Sequence, residues 1–129
     1  MPAKILVIED DPASLELLKY LLEQGGHSVA TATDGAAGLK AALGNEFDMV
    51  LCDLQLPELT GHEVAARLRG TQAWRVVPLV AVTAYSMPGD RGTAIAAGFT
   101  EYLTKPIEPE SILTTVNQLL PLPLRSSVG

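Results

Sequence analysis

The chain predicts an α/β fold built on a parallel sheet. Five short apolar runs alternate with five amphipathic segments, the order that parallel sheets require for their crossovers. Runs such as "LVI" and "MVL" are apolar without alternation, so both faces of the sheet are covered by helices. In such a fold ligands bind outside the carboxyl ends of the strands, and there this chain repeatedly places carboxylates.

"KILVI" (Lys4–Ile8) is rich in β-branched residues and too short for a helix. From Pro12 to Gln24 the residues Leu15, Leu18 and Leu22 fall at helical spacing, with Leu17 and Leu21 widening the stripe. Proline suits a first helical turn, and Gly25-Gly26 ends the helix. "HSVAT" (His27–Thr31) is the second strand and Asp34–Gly44 the second helix. "DMVLCD" (Asp48–Asp53) is the third strand, Leu56–Gly61 a loop and His62–Arg69 the third helix. Val77–Thr83 is the fourth strand, and Gly89–Gly98 a weak, Gly-rich helix. Glu101–Pro106 covers the fifth strand and its exit; Glu108–Leu120 is the last helix, with Ile112, Val116 and Leu119 on one stripe. Residues 1–120 form one domain, and 121–129, interrupted by Pro121 and Pro123, a tail or the start of a linker.

The 129 residues suffice for one sizeable core. At 47% hydrophobic and 19% charged, the chain is globular. Fifteen acids against nine bases argue against nucleic-acid binding and suit partners that are proteins or metal ions. The lone Cys52 excludes an internal disulfide and points to a reducing cytoplasm. The N-terminus has no signal-peptide pattern, and no apolar run approaches the ~20 residues of a membrane span.

The first strand ends in Glu9, Asp10 and Asp11, the third in Asp53, the fourth in Thr83, and the fifth runs into Lys105. If strands one and three are neighbours, several carboxylates meet. Two unit charges ~4 Å apart repel by ~4 kcal/mol at an effective dielectric of ~20, a large share of a domain's ~5–15 kcal/mol stability. A shared proton, Lys105 or a cation must offset them. The donors are all oxygen, since Cys52 points away from Asp53 along a strand, and oxygen donors favour Mg²⁺ or Mn²⁺ over Zn²⁺. Metal, ammonium and hydroxyl together suit phosphoryl transfer to a carboxylate, with Asp53 as nucleophile.

The motifs "IEDDP", "DLQLPELTG", "AVTAY" and "YLTKP", in this order, resemble those of the response-regulator receiver domain, the CheY-like family. The resemblance spans Lys4 to Leu120 and implies a flavodoxin-like sheet of order 2-1-3-4-5. It implies that Asp53 is the phosphoacceptor and that Asp10 binds Mg²⁺ (or Mn²⁺) directly, with Glu9 its acidic neighbour. The backbone carbonyl of Gln55 is the third protein ligand. Thr83 binds the phosphoryl group, Tyr102 is the switch aromatic, Lys105 binds phosphate, and Lys105–Pro106 is cis. Asp11 points away. Gln55 and Tyr85 flank the phosphoryl site and tune its lifetime. The partners implied are a sensor histidine kinase or histidine phosphotransfer protein. A downstream protein is expected on the face of the fourth helix, fifth strand and fifth helix. The chain is then a regulatory phosphoacceptor and not an enzyme, resembling stand-alone single-domain regulators; the alternative is a receiver piece of a hybrid kinase.

Plainer readings exist for single residues. The three acids cap the helix at Pro12 equally well when taken alone. Asp53 alone can be a turn former and Thr83 a β-former. Cys52 reads as a small core residue, His27 and His62 as solvated, and Trp74 as surface packing. A small Mg²⁺-dependent acyl-phosphate phosphatase of the haloacid-dehalogenase type needs Asp two residues after its nucleophile, where this chain has Gln55. A flavodoxin-like cofactor binder would not cradle phosphate in a loop of three acids. A receiver that binds partners without phosphorylation would not need the acids, Thr83 and Lys105 that remain intact here.

Overall fold

The structure, a computed structural model, describes residues 3–84 and 87–121. It contains β1 (Lys4–Ile8), α1 (Pro12–Gln24), β2 (Ser28–Ala32), α2 (Gly35–Gly44), β3 (Met49–Asp53) and α3 (Gly61–Arg69). A 3-10 turn at Gln72–Trp74 precedes β4 (Leu79–Thr83), α4 (Asp90–Ala97), β5 (Glu101–Thr104) and α5 (Pro109–Leu119). The strands are parallel in the order β2-β1-β3-β4-β5. That is the expected doubly wound sheet.

Alternation along each strand sorts the core into two layers. Leu6, Ile8, Val50, Cys52, Leu79 and Ala81 pack with Val64, Ala65, Leu68 and Ala94 of α3 and α4. Ile5, Val7, Met49, Leu51, Val80 and Val82 pack with Leu18, Leu22, Ile112 and Val116 of α1 and α5. The continuous apolar runs are thus strands buried on both faces.

Element starts follow local chemistry. Asp11 caps α1, its Oδ2 accepting from Ser14 N (3.0 Å) and Ser14 Oγ (2.8 Å). Asp34 lies outside α2 as its cap, accepting from Ala37 N at 2.7 Å. Glu108 likewise precedes α5, which opens at Pro109. β4 begins two residues later than Val77 because Pro78 has no N–H for the ladder; its carbonyl accepts from Val50 N at 3.1 Å.

Two expectations are overturned in the core. Trp74 is buried in the core between sheet and α3–α4 and not on the surface. Arg69 folds its connection inward, donating through Nη1 to the Trp74 (2.5 Å) and Val77 (2.7 Å) carbonyls. His27 is buried and not solvated: its Nδ1 accepts from Ala3 N at 3.2 Å, and burial lowers its pKa.

Gly61 matters for the site. A Cβ there would sit 2.5 Å from the Asp53 carbonyl oxygen and 2.8 Å from Leu54 Cα. Both are backbone and cannot swing away. Gly61→Ala is therefore expected to destabilise the fold by about 1–3 kcal/mol. A urea titration checks this as a lower midpoint at unchanged slope.

Candidate functional site

The site forms where β1 and β3 end side by side, with Ile8 opposite Cys52 in register. Glu9 and Asp10 follow β1, and Asp53 closes β3. One carboxylate oxygen from each of the three lies within 4.8 Å of the others. Asp10 is exposed, whereas Glu9 is 1% and Asp53 6% exposed. Asp11 faces away into its cap, as expected.

Lys105 enters from the end of β5, two strands away. Its Nζ lies 2.7 Å from Glu9 Oε1 and 3.2 Å from Asp53 Oδ2. Lys105–Pro106 is cis. Backbone donors complete the carboxylates' surroundings. Gln55 N–H donates to Asp53 Oδ1 at 2.9 Å and Asp11 N–H to Glu9 Oε2 at 3.1 Å.

Burial pushes the Glu9 carboxyl up to about 7, with Asp53 adding to the rise and Lys105 opposing it. Burial works against the charge on Lys105, but Glu9 and Asp53 outweigh it and hold its pKa above the ordinary lysine value. Three carboxylates against one ammonium leave two negative charges when all are ionised, the charge that one divalent cation cancels. Oxygen donors of this kind fit Mg²⁺. Cys52 adds no ligand: it packs in the opposite layer, and burial pushes its thiol up.

Thr83 is buried at the end of β4, one residue past Val82, the register partner of Asp53. It opens on a cleft of about 310 Å³ shared with Gln55, Thr60, His62 and Asp90. His62, read as solvated, is half-buried and lines this cleft; its position at the start of α3 holds no sequence signal for that. Tyr102 is buried in the layer beneath α3 and α4. Tyr85, the second flanking residue expected, lies outside the described residues.

Comparisons with known proteins agree with this geometry. The profile of the response regulator receiver domain matches residues 5–117. The polar-differentiation response regulator DivK of Brucella anthropi is 32% identical over 93% of this chain and 98% of its own length. The chemotaxis protein CheY4 of Vibrio cholerae superposes with a TM-score of 0.88 at 29% identity, over 93% of this chain and all of that one. The receiver domain of the sensor histidine kinase PA1611 of Pseudomonas aeruginosa holds a magnesium ion in its active-site cleft. It superposes with a TM-score of 0.85 at 28% identity, over 92% and 98% of the two chains.

Proposed function

This chain belongs to the response regulator receiver domain family, and we propose that Asp53 is the residue through which it receives its signal. Receiver domains are the switches of two-component systems. The observation that carries the assignment is that Asp53 closes a buried strand with Lys105 in contact and with carboxylate oxygens of Glu9 and Asp10 within 4.8 Å.

In the proposed reaction an Asp53 oxygen attacks the phosphorus of a phosphohistidine on a histidine kinase or phosphotransfer protein. A P–O bond forms and the P–N bond breaks; the imidazole nitrogen leaves with the electron pair and takes a proton from solvent water. Glu9, Asp10, Asp53 and the Gln55 carbonyl would hold Mg²⁺. Bound there, it supplies positive charge to the phosphoryl oxygens. Lys105 exchanges its contact with Asp53 for one with the new phosphoryl oxygens. The Thr83 hydroxyl donates to the phosphoryl group, and Tyr102 repacks against the space Thr83 leaves. The changed face of α4, β5 and α5 then binds a downstream protein. His62 and Gln55, on the Thr83 cleft, govern water's approach to the acyl phosphate.

This makes 1–120 the switch unit and 121–129 a tail or linker start. No helix of the described residues is long and apolar enough to cross a membrane; the proposed setting is the cytoplasm, where histidine kinases present their phosphohistidine. The test is incubation with acetyl phosphate. Uptake of one phosphoryl group, requiring Mg²⁺ and absent in Asp53→Asn, is the expected result; equal uptake by the variant overturns the assignment.

A further inference from the structure

Helix α4 is held at its two ends in different ways. Only Ala94 of its eight residues is buried. Its N-cap Gly89 makes no side-chain cap bond and sits at φ +93°. Gly92, in the first turn, faces open space. Its first turn is bonded to the loop before it, Asp90 Oδ2 accepting from Met87 N at 2.7 Å and Thr93 Oγ1 donating to the Gly89 carbonyl at 3.1 Å.

The C-terminal end is pinned. Arg69 of α3 donates through Nε to the Gly98 carbonyl at 2.8 Å and through Nη2 to Thr100 Oγ1 at 3.2 Å. The same guanidinium holds the Trp74 and Val77 carbonyls. Gly98, at φ +122°, comes so close that a Cβ there would lie 2.7 Å from Arg69 Cγ. Phe99, the next residue, is buried in the core.

Among the described residues, the side chain that ties the N-terminal end to β5 is Arg91. Its Nη2 pairs with Glu101 Oε1 at 2.5 Å, and its Nη1 approaches the Tyr102 carbonyl at 3.4 Å. Glu101 Oε1 also accepts the Tyr102 N–H at 2.9 Å. β5 is one of the two edge strands of the sheet. The Arg91–Glu101 pair thus closes a ring over the backbone of Tyr102, covering the edge groups that an open strand presents for pairing. Both side chains of the pair are partly exposed, unlike Arg69's contacts with main-chain carbonyls.

We propose that α4 is a hinged helix: Arg69 with Gly98 is the pivot, and the Arg91–Glu101 pair is the latch that holds the first turn on the edge of β5. Opening the latch swings the N-terminal turn away and uncovers the N–H and C=O of Tyr102. The pivot keeps Phe99 in place. The hinge stands on these contacts alone; its use as a brake on switching rests on the Asp53 reading.

Amide hydrogen exchange on unphosphorylated protein tests the hinge. In Arg91→Ala, the amides of Thr93, Ala94 and Tyr102 should exchange about three- to fivefold faster, the size expected for losing one exposed ion pair. Those of Gly98 and Phe99 should not change. The charge-reversed pair Arg91→Glu with Glu101→Arg should restore the slower rates, while Arg91→Glu alone should not. Unchanged exchange at the first turn, or equal acceleration along the whole helix, overturns the hinge. If the latch also restrains switching, Arg91→Ala takes phosphoryl from acetyl phosphate faster than wild type. An equal rate, in a protein that does become phosphorylated, overturns that coupling. The exchange result is decided even if Asp53 accepts no phosphoryl group.

Discussion

Lys105→Ala is expected to lower stability by about 3–5 kcal/mol at neutral pH in the absence of divalent cations, the loss that follows when a buried pair is left without one partner. Lys105 is the ammonium in contact with both Glu9 and Asp53. Its removal leaves Glu9 and Asp53 buried side by side without their cation, so that they must share a proton or repel. Urea titrations with and without Mg²⁺ check this, and Mg²⁺ should return part of the loss. The deficit should also shrink at about pH 5, because Glu9, pushed up to about 7 by burial, is then protonated. A deficit independent of both pH and Mg²⁺ would mean that Lys105 acts through packing alone. In the phosphotransfer reaction the same variant should be slowed roughly a hundredfold or more, the scale of losing one charged donor to developing oxyanions.

The second large effect concerns Glu9. Its pKa rises from 4.5 to about 7 on folding, chiefly through burial. Between those values the folded protein keeps a proton that the unfolded chain releases. Stability of the metal-free protein therefore falls as pH rises from 4.5 to about 7 and levels off above, by an amount on the order of 3 kcal/mol. The stabilisation contributed by Mg²⁺ should grow over the same window, since a protonated carboxylate is a poor ligand. Glu9→Gln should flatten the metal-free profile there and weaken Mg²⁺ binding. Thermal melts across the pH range, with and without Mg²⁺, measure both; a variant profile that still falls would assign the proton elsewhere.

Much of the architecture was legible because a strand buried on both faces writes itself as an unbroken apolar run. Ile5–Ile8 and Met49–Cys52 are such runs, and the acids that end them mark the carboxyl edge of the sheet. The helices of α1 and α5 were equally plain from their leucine and isoleucine stripes. The carboxylate pocket followed from the repulsion that adjacent strands impose on Glu9, Asp10 and Asp53.

What stayed hidden depends on tertiary contact. Trp74 sits in a 3-10 turn too short for any periodicity, and its burial follows from Arg69 reaching back to main-chain carbonyls. His27 lies after two glycines, where polarity reads as solvent, yet its ring bonds to the amide of Ala3. His62 and Thr83 meet along one cleft from helices and strands far apart in the chain. The Arg91–Glu101 pair is ten residues apart, with no local spacing rule to join it.

The most direct test is to locate the phosphoryl group. Protein treated with Mg²⁺ and acetyl phosphate can be reduced with borohydride, which converts an aspartyl phosphate to homoserine, and then sequenced by mass spectrometry. The account predicts homoserine at position 53 and unmodified Glu9, Asp10 and Asp11. Modification at any of those three acids, with Asp53 intact, would contradict it.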